Sequence, residues 1–503
     1  MSLKRFICFA ADTLYCSFKP LRDIKSIVVN RASGTIVDLL LDVPEESEIL
    51  EVVEFKGIII PAFIDAHTHI LGYAADKGLD LRGISTWEEV AEIIKTAEPT
   101  HQHWLIARGW DESKMQEGKI PDKQWLNAIR NDIPVVLIRV DGHMAICNDR
   151  AIKESGLDAY NGKDFDGNRG FVKEEALNIL HKAKPVVSLE QFMKNYTDLE
   201  NWFLRHGVVG SCEAGINSNL VRYIEKLNPL IKHSVLLLAE DHNAQQINLL
   251  PFTLSNGIKF SGIKMFYDGS LGSNTALLFD SYRSVKNYFG LQVKPTEYYR
   301  HWLETLKNRE DIIIATHAIG DRAVHEIAEL YSTVQPVGIK RIEHVQIIRD
   351  NTISLLRENN IVASIQPIHL LTDKRWIASK LNKSSLEYAY RFKTLMNNVP
   401  TILGTDFPVE EVDPFMNLYA AMFRKNPDEA DAFHPQESLS IYESMDAYTA
   451  KAARYSLLEG LGTLDRGNKA SFVVVDRDFI KRPEEVASAQ VKKVFVDGIQ
   501  RFG

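Results

Sequence analysis

Apolar runs of strand length recur through the middle of the chain, and stretches with helical periodicity follow them. Val, Ile and Leu dominate these runs with little polar alternation, which is typical of strands buried on both faces of a parallel sheet. Eight such units predict an α/β fold, a (β/α)8 TIM-type barrel. A doubly wound open sheet fits less well, because no glycine-rich phosphate loop follows an early strand. The candidate strands are 58–66, 208–213, 234–240, 263–267, 312–316, 341–343, 361–365 and 401–405.

Both ends of the chain carry short β-type runs that are separated by turn residues. Four lie near the start, at 5–10, 26–30, 35–41 and 49–55, and two near the end, at 471–476 and 491–497. Because chain ends often lie close together, we expect residues 1–57 and 459–503 to form one small β-sandwich domain. Two unrelated β appendages are the alternative.

The connection between the first and second predicted barrel strands is far longer than a usual βα loop. It contains helical patterns at 86–95 and 122–130 and strand patterns at 104–107 and 134–140. We therefore expect residues 71–194 to form an inserted subdomain over the barrel mouth, as a lid or a substrate wall. Residues 58–70 and 195–458 then make up the barrel.

Composition narrows the classes of partner. The chain is 45% hydrophobic and 25% charged, with a formal net charge of −8, which disfavours a nucleic-acid partner. Four scattered cysteines without a C-x-x-C pair are typical of reduced, buried thiols, so we expect a cytoplasmic protein. No apolar run approaches membrane-spanning length. The expected partner is a small-molecule substrate, with no nucleic acid and no membrane.

The strongest local motif is the pair His67 and His69 at the end of the first predicted strand. Residues i and i+2 of an extended strand point to the same side, so both imidazoles can reach one metal ion. A single His-x-His pair is a weak signal. Three further strand ends carry metal-binding types at the same expected rim, namely His317, His344 and Asp406. Together they predict a divalent-metal centre.

Lys264 lies inside the fourth predicted strand, among apolar residues. Burial disfavours the charged ammonium and favours the neutral amine. Two interpretations stay open at this point. Lys264 belongs to the metal site, or it forms an ion pair with Asp268 or Glu213.

The full set of strand-end residues resembles that of the amidohydrolase superfamily. The motifs around these residues resemble those of its YtcJ-like branch, which includes N-substituted formamide deformylases. The resemblance covers nearly the whole chain. The motifs that carry it begin at Pro61, Arg108, Arg139, Lys264, His317, Gln366, Gly404 and Gly462.

The resemblance implies a barrel with a β-sandwich built from both chain ends, in agreement with the pattern. It also implies one or two divalent ions, zinc foremost, and N-carboxylation of Lys264 so that a carbamate bridges two ions. A mononuclear site with unmodified Lys264, or with Glu213 as a ligand, is the alternative. Related barrels often dimerise, so a homodimer is one expected assembly.

The implied reaction is hydrolysis of a carbon–nitrogen bond other than a peptide bond, in an N-substituted amide or formamide. Asp406 is the expected general base, and His143 is expected to donate a hydrogen bond to the substrate carbonyl. Hydrolysis of a lactone or a cyclic imine by the same residues is one alternative. A non-catalytic regulatory protein that binds the metal is another. Candidate substrate contacts are Trp110, Asp111, Asp268 and His369, and candidate pocket aromatics are Trp110, Trp125, Phe266, Tyr267 and Trp376.

Overall fold

The computed structural model describes residues 4–18, 24–241, 250–283 and 285–503. Residues 1–3 and 19–23 of the predicted terminal domain, and residues 242–249 and 284 of the predicted barrel, lie outside this description.

Eight parallel strands form the central sheet, in sequence order around the barrel. The first and eighth strands meet through a parallel bridge between Thr68 and Phe407, and the amide of Asp406 donates to the carbonyl of His67 at 2.8 Å. The sheet is therefore nearly closed, which confirms the predicted TIM-type barrel. Its strands are Phe63–Thr68, Val208–Ile216, Lys232–Leu238, Lys259–Phe266, Ile313–Ala318, Ile339–His344, Val362–Ile365 and Thr401–Leu403. The short strand Phe252–Thr253 pairs antiparallel with the fourth.

The predicted first strand, 58–66, is wrong in its bounds. Residues 58–61 belong to Leu50–Pro61, a strand of the terminal sheet, and the barrel strand starts at Phe63. One uninterrupted apolar run crosses both sheets here, and every residue from 58 to 64 is buried. Hydrophobic periodicity gives no signal at a junction of this kind, because both sides of it are buried.

Helices follow the barrel strands and cover the outside of the sheet. Helix Asp321–Val334, for example, buries Ala323, Val324 and Ile327. The α-helices are Ile70–Asp76, Trp87–Thr96, Lys123–Ile129, Asp149–Ser155, Glu174–Ala183, Leu189–Arg205, Val221–Ile224, Thr296–Leu306, Asp321–Val334, Asp350–Glu358, His369–Asp373, Ile377–Lys380, Lys383–Leu386, Phe392–Asn398, Pro414–Phe423, Ile441–Tyr448 and Ala450–Tyr455. Short 3-10 helices are Leu157–Ala159, Ser218–Leu220, Ala239–Asp241, Pro435–Glu437 and Pro483–Ser488.

The two chain ends join in one seven-stranded, largely antiparallel sheet. Strand Phe472–Val475 pairs with Leu50–Pro61, so the two ends are hydrogen-bonded to each other. Aromatic rings of both ends share one core, in which the ring centres of Phe9 and Phe472 lie 5.0 Å apart. The last strand was not predicted. In sheet order the strands are Ile499–Phe502, Val491–Val496, Phe472–Val475, Leu50–Pro61, Phe6–Leu14, Ile24–Asn30 and Thr35–Leu40.

The insertion after the first barrel strand contains a six-stranded sheet with two apolar clusters of its own. The predicted boundary at residue 194 falls inside helix Leu189–Arg205, whose Phe192, Tyr196 and Phe203 pack in the barrel core. This helix is therefore part of the barrel layer. In sheet order the strands are Phe165–Asp166, Phe171–Lys173, Met144–Cys147, Val135–Arg139, Leu105–Trp110 and Leu79–Asp80. Within the described residues, no helix combines the length and apolar character needed to cross a membrane.

The neutral imidazole of His233, on the third barrel strand, contacts the hydroxyls of Tyr196 and Ser211. It is buried, and its ring nitrogens lie 2.7 Å from the Tyr196 hydroxyl and 2.8 Å from Ser211 Oγ. Burial lowers the pKa of His233 to about 3. The unfolded chain takes up this proton below about pH 6.5, and the folded chain does not until about pH 3. Stability is therefore lost as the pH falls below about 6.5.

We predict that His233→Gln makes the urea midpoint less sensitive to pH between 7 and 5. One proton corresponds to at most about 1.4 kcal/mol per pH unit. The measurement is urea unfolding in pH steps, with His103→Gln as the control because His103 is exposed. Equal pH slopes in wild type and His233→Gln would contradict the assignment.

Candidate metal centre and active site

The two histidines of the first barrel strand converge on Asp406, as the sequence predicted. His67 Nε2 lies 3.4 Å from Asp406 Oδ1, and His69 Nε2 lies 3.0 Å from the same oxygen. Asp406 follows the eighth strand with a positive φ of 61°. This conformation costs roughly 1–2 kcal/mol in a residue other than glycine. The amide hydrogen bond to His67 holds Asp406 in place beside the first strand.

A buried carboxylate fixes the orientation of His67. Its Nδ1 lies 2.6 Å from Glu343 Oε2, and Arg341 Nε donates to Glu343 Oε1 at 2.8 Å. All three side chains are fully buried. Burial opposes the charged form of Glu343, but Arg341 and His67 outweigh it and hold the pKa of Glu343 well below its usual range. The ionised carboxylate accepts a hydrogen bond from Nδ1–H, so His67 presents Nε2 to the barrel mouth.

Two more predicted ligands stand beside this pair. His344 Nδ1 lies 2.7 Å from Gln366 Oε1, and the rings of His344 and His317 are 4.5 Å apart. Burial lowers the pKa of His317 and His344 well below the usual value, and lowers that of His69 to about 4. These imidazoles are neutral near pH 7, which is the form that binds metal ions.

Lys264 projects into the same cluster. Its side chain is buried, and Nζ has no hydrogen-bond partner among the described residues. Burial lowers the pKa of Lys264, although Glu343 and Asp406 oppose the shift. The proposed ion pairs are not formed, because Glu213 accepts the amides of Leu71 and Gly72 and Asp268 accepts three other backbone amides.

The cluster fits a divalent cation. Four buried polar atoms of this cluster have no hydrogen-bond partner among the described residues: His67 Nε2, His369 Nε2, Lys264 Nζ and Asp406 Oδ1. Such atoms are costly unless something else satisfies them. Two groups of side chains each bring their potential ligand atoms within 4.8 Å of one another. One group is His67, His69 and Asp406, and the other is His344, His369 and Asp406. Imidazole nitrogens with a carboxylate suit zinc and similar ions.

A cavity of about 280 Å³ opens onto this cluster, and residues of the insertion line part of its wall. A second cavity of about 70 Å³ lies beside it. Both cavities share Asp141, His143, His317, His344, Asp406 and Val409. The histidine–aspartate cluster therefore lies where a larger and a smaller compartment meet.

His143 belongs to the insertion and faces the cluster, with its ring 5.0 Å from that of His317. Its Nδ1 lies 3.0 Å from Glu174 Oε2. Burial alone lowers the pKa of His143, but Glu174 outweighs it and raises the pKa to about 9. His143 is thus a cationic donor at neutral pH, and it lines both cavities.

The predicted substrate contacts fall in different places. The prediction that Trp110 contacts substrate is wrong. Trp110 is fully buried in the core of the insertion, where its indole donates to the carbonyl of Leu137 at 2.9 Å. Asp268 is also buried, and its carboxylate is saturated by the amides of Leu277, Ile319 and Gly320, so it supports the loop beside His317.

Asp111 and His369 do line the smaller cavity. Of the other aromatics, Phe266 lines the larger cavity and Trp376 the smaller one. Trp125 packs in the core of the insertion. The hydroxyl of the buried Tyr267 donates to Glu326.

Sequence reasoning missed the residues that orient the ligands. Glu343, Gln366 and Glu174 hold His67, His344 and His143 respectively. Gln366 begins one of the motifs that carry the family resemblance, and Glu343 ends the predicted strand 341–343, but Glu343 is 276 positions from His67. Only the expectation that a metal-binding histidine needs a partner at its second nitrogen would have drawn attention to them.

The fold and the site together define a metal-dependent hydrolase. A model of the amidohydrolase family matches residues 56–502, and the chain belongs to this family.

Several known proteins are similar to the chain over most of its length. A metal-dependent hydrolase from Pyrococcus horikoshii OT3 shares 26% identity, with a TM-score of 0.77, over 94% of this chain and 98% of that one. Putative amidohydrolase YtcJ of Bacillus subtilis is 25% identical over 88% of each chain. Protein LONG AFTER FAR-RED 3 of Arabidopsis thaliana is 28% identical over 88% of this chain and 82% of that protein. These similarities confirm the YtcJ-like branch.

We predict that Glu343→Gln weakens metal binding about 10- to 100-fold, because it removes the acceptor that orients His67. Arg341 loses its buried counter-ion at the same time, so the melting temperature falls as well. Affinity is measured by competition with a chromophoric chelator, well below the melting temperature. The control is Glu329→Gln, since the Glu329 side chain is 58% exposed. Unchanged affinity in Glu343→Gln would contradict the role of Glu343.

Proposed function

We propose that the protein hydrolyses a carbon–nitrogen bond other than a peptide bond, in N-substituted amides with a small acyl group, formamides foremost. The observation that carries this proposal is the set of unpartnered buried atoms on His67, His369, Lys264 and Asp406 at the junction of two unequal cavities. A scissile bond at that junction directs one substituent into each compartment.

The sizes of the compartments favour a small acyl group. The smaller cavity, about 70 Å³, has room for little more than a formyl or short acyl group. The larger one, about 280 Å³, is close to the lower end of small-molecule sites, roughly 300 Å³. Its wall includes the apolar side chains of Leu177, Val186 and Phe266, which suit an apolar N-substituent.

One or two divalent ions, zinc foremost, would be held by His67, His69, His317, His344, Asp406 and Lys264. When bound, such an ion lowers the pKa of a coordinated water and polarises a carbonyl group. We propose that Lys264 is N-carboxylated in the two-ion form. Burial lowers the pKa of its amine and favours the neutral form. The neutral amine adds carbon dioxide and loses one proton, so that an anionic carbamate replaces a neutral amine beside the metal site.

The chain's own residues move the protons. Asp406, whose carboxylate lies between the histidines at the barrel mouth, accepts a proton from the attacking water and delivers it to the leaving nitrogen. The protonated His143, held by Glu174, donates a hydrogen bond to the carbonyl oxygen as negative charge develops there. The products are an amine and a carboxylate, which is formate for a formamide.

The setting of the reaction is also a proposal. All four cysteines are buried, which suits a reducing compartment, and we propose a cytoplasmic location and a small-molecule substrate. A homodimer stays a prediction of the family resemblance.

We predict that Asp406→Asn lowers kcat for N-substituted formamides by about 10²- to 10⁴-fold, because the amide cannot accept the proton of water. The assay measures formate release from a panel of formamides and longer amides, with and without chelator. Asp350→Asn is the control, since the Asp350 side chain is 75% exposed. Near-normal turnover by Asp406→Asn would contradict the assignment of the base, and no turnover of any amide by metal-loaded wild type would contradict the function.

A further inference from the structure

The guanidinium of Arg108, which lines the larger cavity, makes few hydrogen bonds to the described residues. Arg108 lies on strand Leu105–Trp110 of the insertion. Its Nη1 donates to Asp76 Oδ2 at 3.3 Å, and its guanidinium lies 5.6 Å from the ring centre of Tyr73. Within the described residues, this is the one side-chain hydrogen bond of Arg108. A guanidinium carries five N–H donors, so most of its hydrogen-bonding capacity is available to a ligand.

A second cation shares the counter-ion of Arg108. Lys184 Nζ donates to Asp76 Oδ1, so one carboxylate stands against two basic side chains. Burial favours protonation of Asp76, but Lys184 and its other cationic neighbours outweigh it and lower the pKa of Asp76. The neighbouring His181 is kept neutral, because burial lowers its pKa to about 3. It therefore adds no charge to this wall.

The remaining carboxylates of the cavity wall are matched by cations of their own. Asp141 pairs with Arg139 at 2.6 Å, and Glu174 pairs with His143 at 3.0 Å. Glu240 lies 3.7 Å from Lys294, and Asp406 belongs to the metal cluster. The wall around Arg108 and Lys184 is therefore the part of the cavity with more cationic than anionic side chains.

The surroundings of Arg108 suit a planar anion on an apolar stem. Gly142 lies next to the guanidinium, and a side chain added there would come within 3.5 Å of Arg108 Nη2. The amides of Asn217 and Asn219 line the same cavity, together with Leu177 and Val186. A guanidinium is the side chain best matched to a carboxylate, because it forms parallel hydrogen bonds with both oxygens.

We propose that Arg108, supported by Lys184 and Asp76, is a carboxylate-binding subsite, and that the substrate is an N-substituted amide whose nitrogen substituent carries a carboxylate. This inference rests on the proposed function and narrows it to N-acyl amino acids and similar N-acyl amino carboxylates. Arg108 binds and orients the substrate; it takes no part in the proton transfers.

The test compares N-formylphenylalanine with its neutral amide, N-formylphenylalaninamide, on the metal-loaded full-length protein. Binding is measured by calorimetry and turnover by formate release, so the subsite is tested whether or not hydrolysis occurs. We expect wild type to favour the carboxylate by at least about tenfold, the scale of one charge-assisted hydrogen bond. Arg108→Met should bring the ratio close to one, and Arg108→Lys should retain part of the preference.

Arg150→Met is the matched control, because it removes an outward-facing arginine of the same insertion, 54% exposed, and should leave the ratio unchanged. Melting temperature and bound metal are measured for each variant. A wild-type ratio of one or less, no binding of either compound, or a preference that persists in a folded Arg108→Met protein would overturn the subsite. Carboxylate preference without hydrolysis of any amide would support the subsite and contradict the proposed hydrolysis.

Discussion

The buried contact between His67 and Glu343 is the interaction on which the rest of the site depends. Glu343 is an ionised carboxylate in the barrel interior, and it is stable there because Arg341 and His67 both donate to it. Arg341 Nη2 also donates to the carbonyl of Ala66 at 2.7 Å, which joins the sixth strand to the first. The network thus sets the orientation of His67 and links two strands that are far apart in the sequence.

Closure of the barrel brings the other half of the site to the same place. The eighth strand returns beside the first, and hydrogen bonds from Asp406 to His67 and from His69 to Phe407 bind the two strand ends together. Asp65 strengthens this contact, since its carboxylate accepts from both the amide and the hydroxyl of Thr405. The insertion then supplies His143 and much of the cavity wall, so the barrel provides the candidate metal-binding groups and the insertion lines the cavity beside them.

The sequence allowed the clustering of the candidate ligands to be predicted, because the carboxyl ends of parallel strands share one rim. His67, His69, His317, His344 and Asp406 meet there as expected. The boundary between the terminal sheet and the first barrel strand could not be predicted, because residues 58–64, which span this boundary, are all buried. Trp110 was wrongly predicted to contact substrate, because the sequence does not distinguish a tryptophan in a core from one that lines a pocket. The partner of His67 could not be found from spacing, because the contact spans 276 positions.

The most direct test of the account is the metal content of the protein, measured by plasma mass spectrometry after purification without chelator or added metal. The account predicts close to one or about two equivalents of a transition metal, zinc foremost, with about two favouring a bridging carbamate on Lys264. The double variant His67→Ala, His69→Ala should lose most of this metal while remaining folded. A wild-type content near zero that stays there after zinc and bicarbonate are supplied would contradict the account.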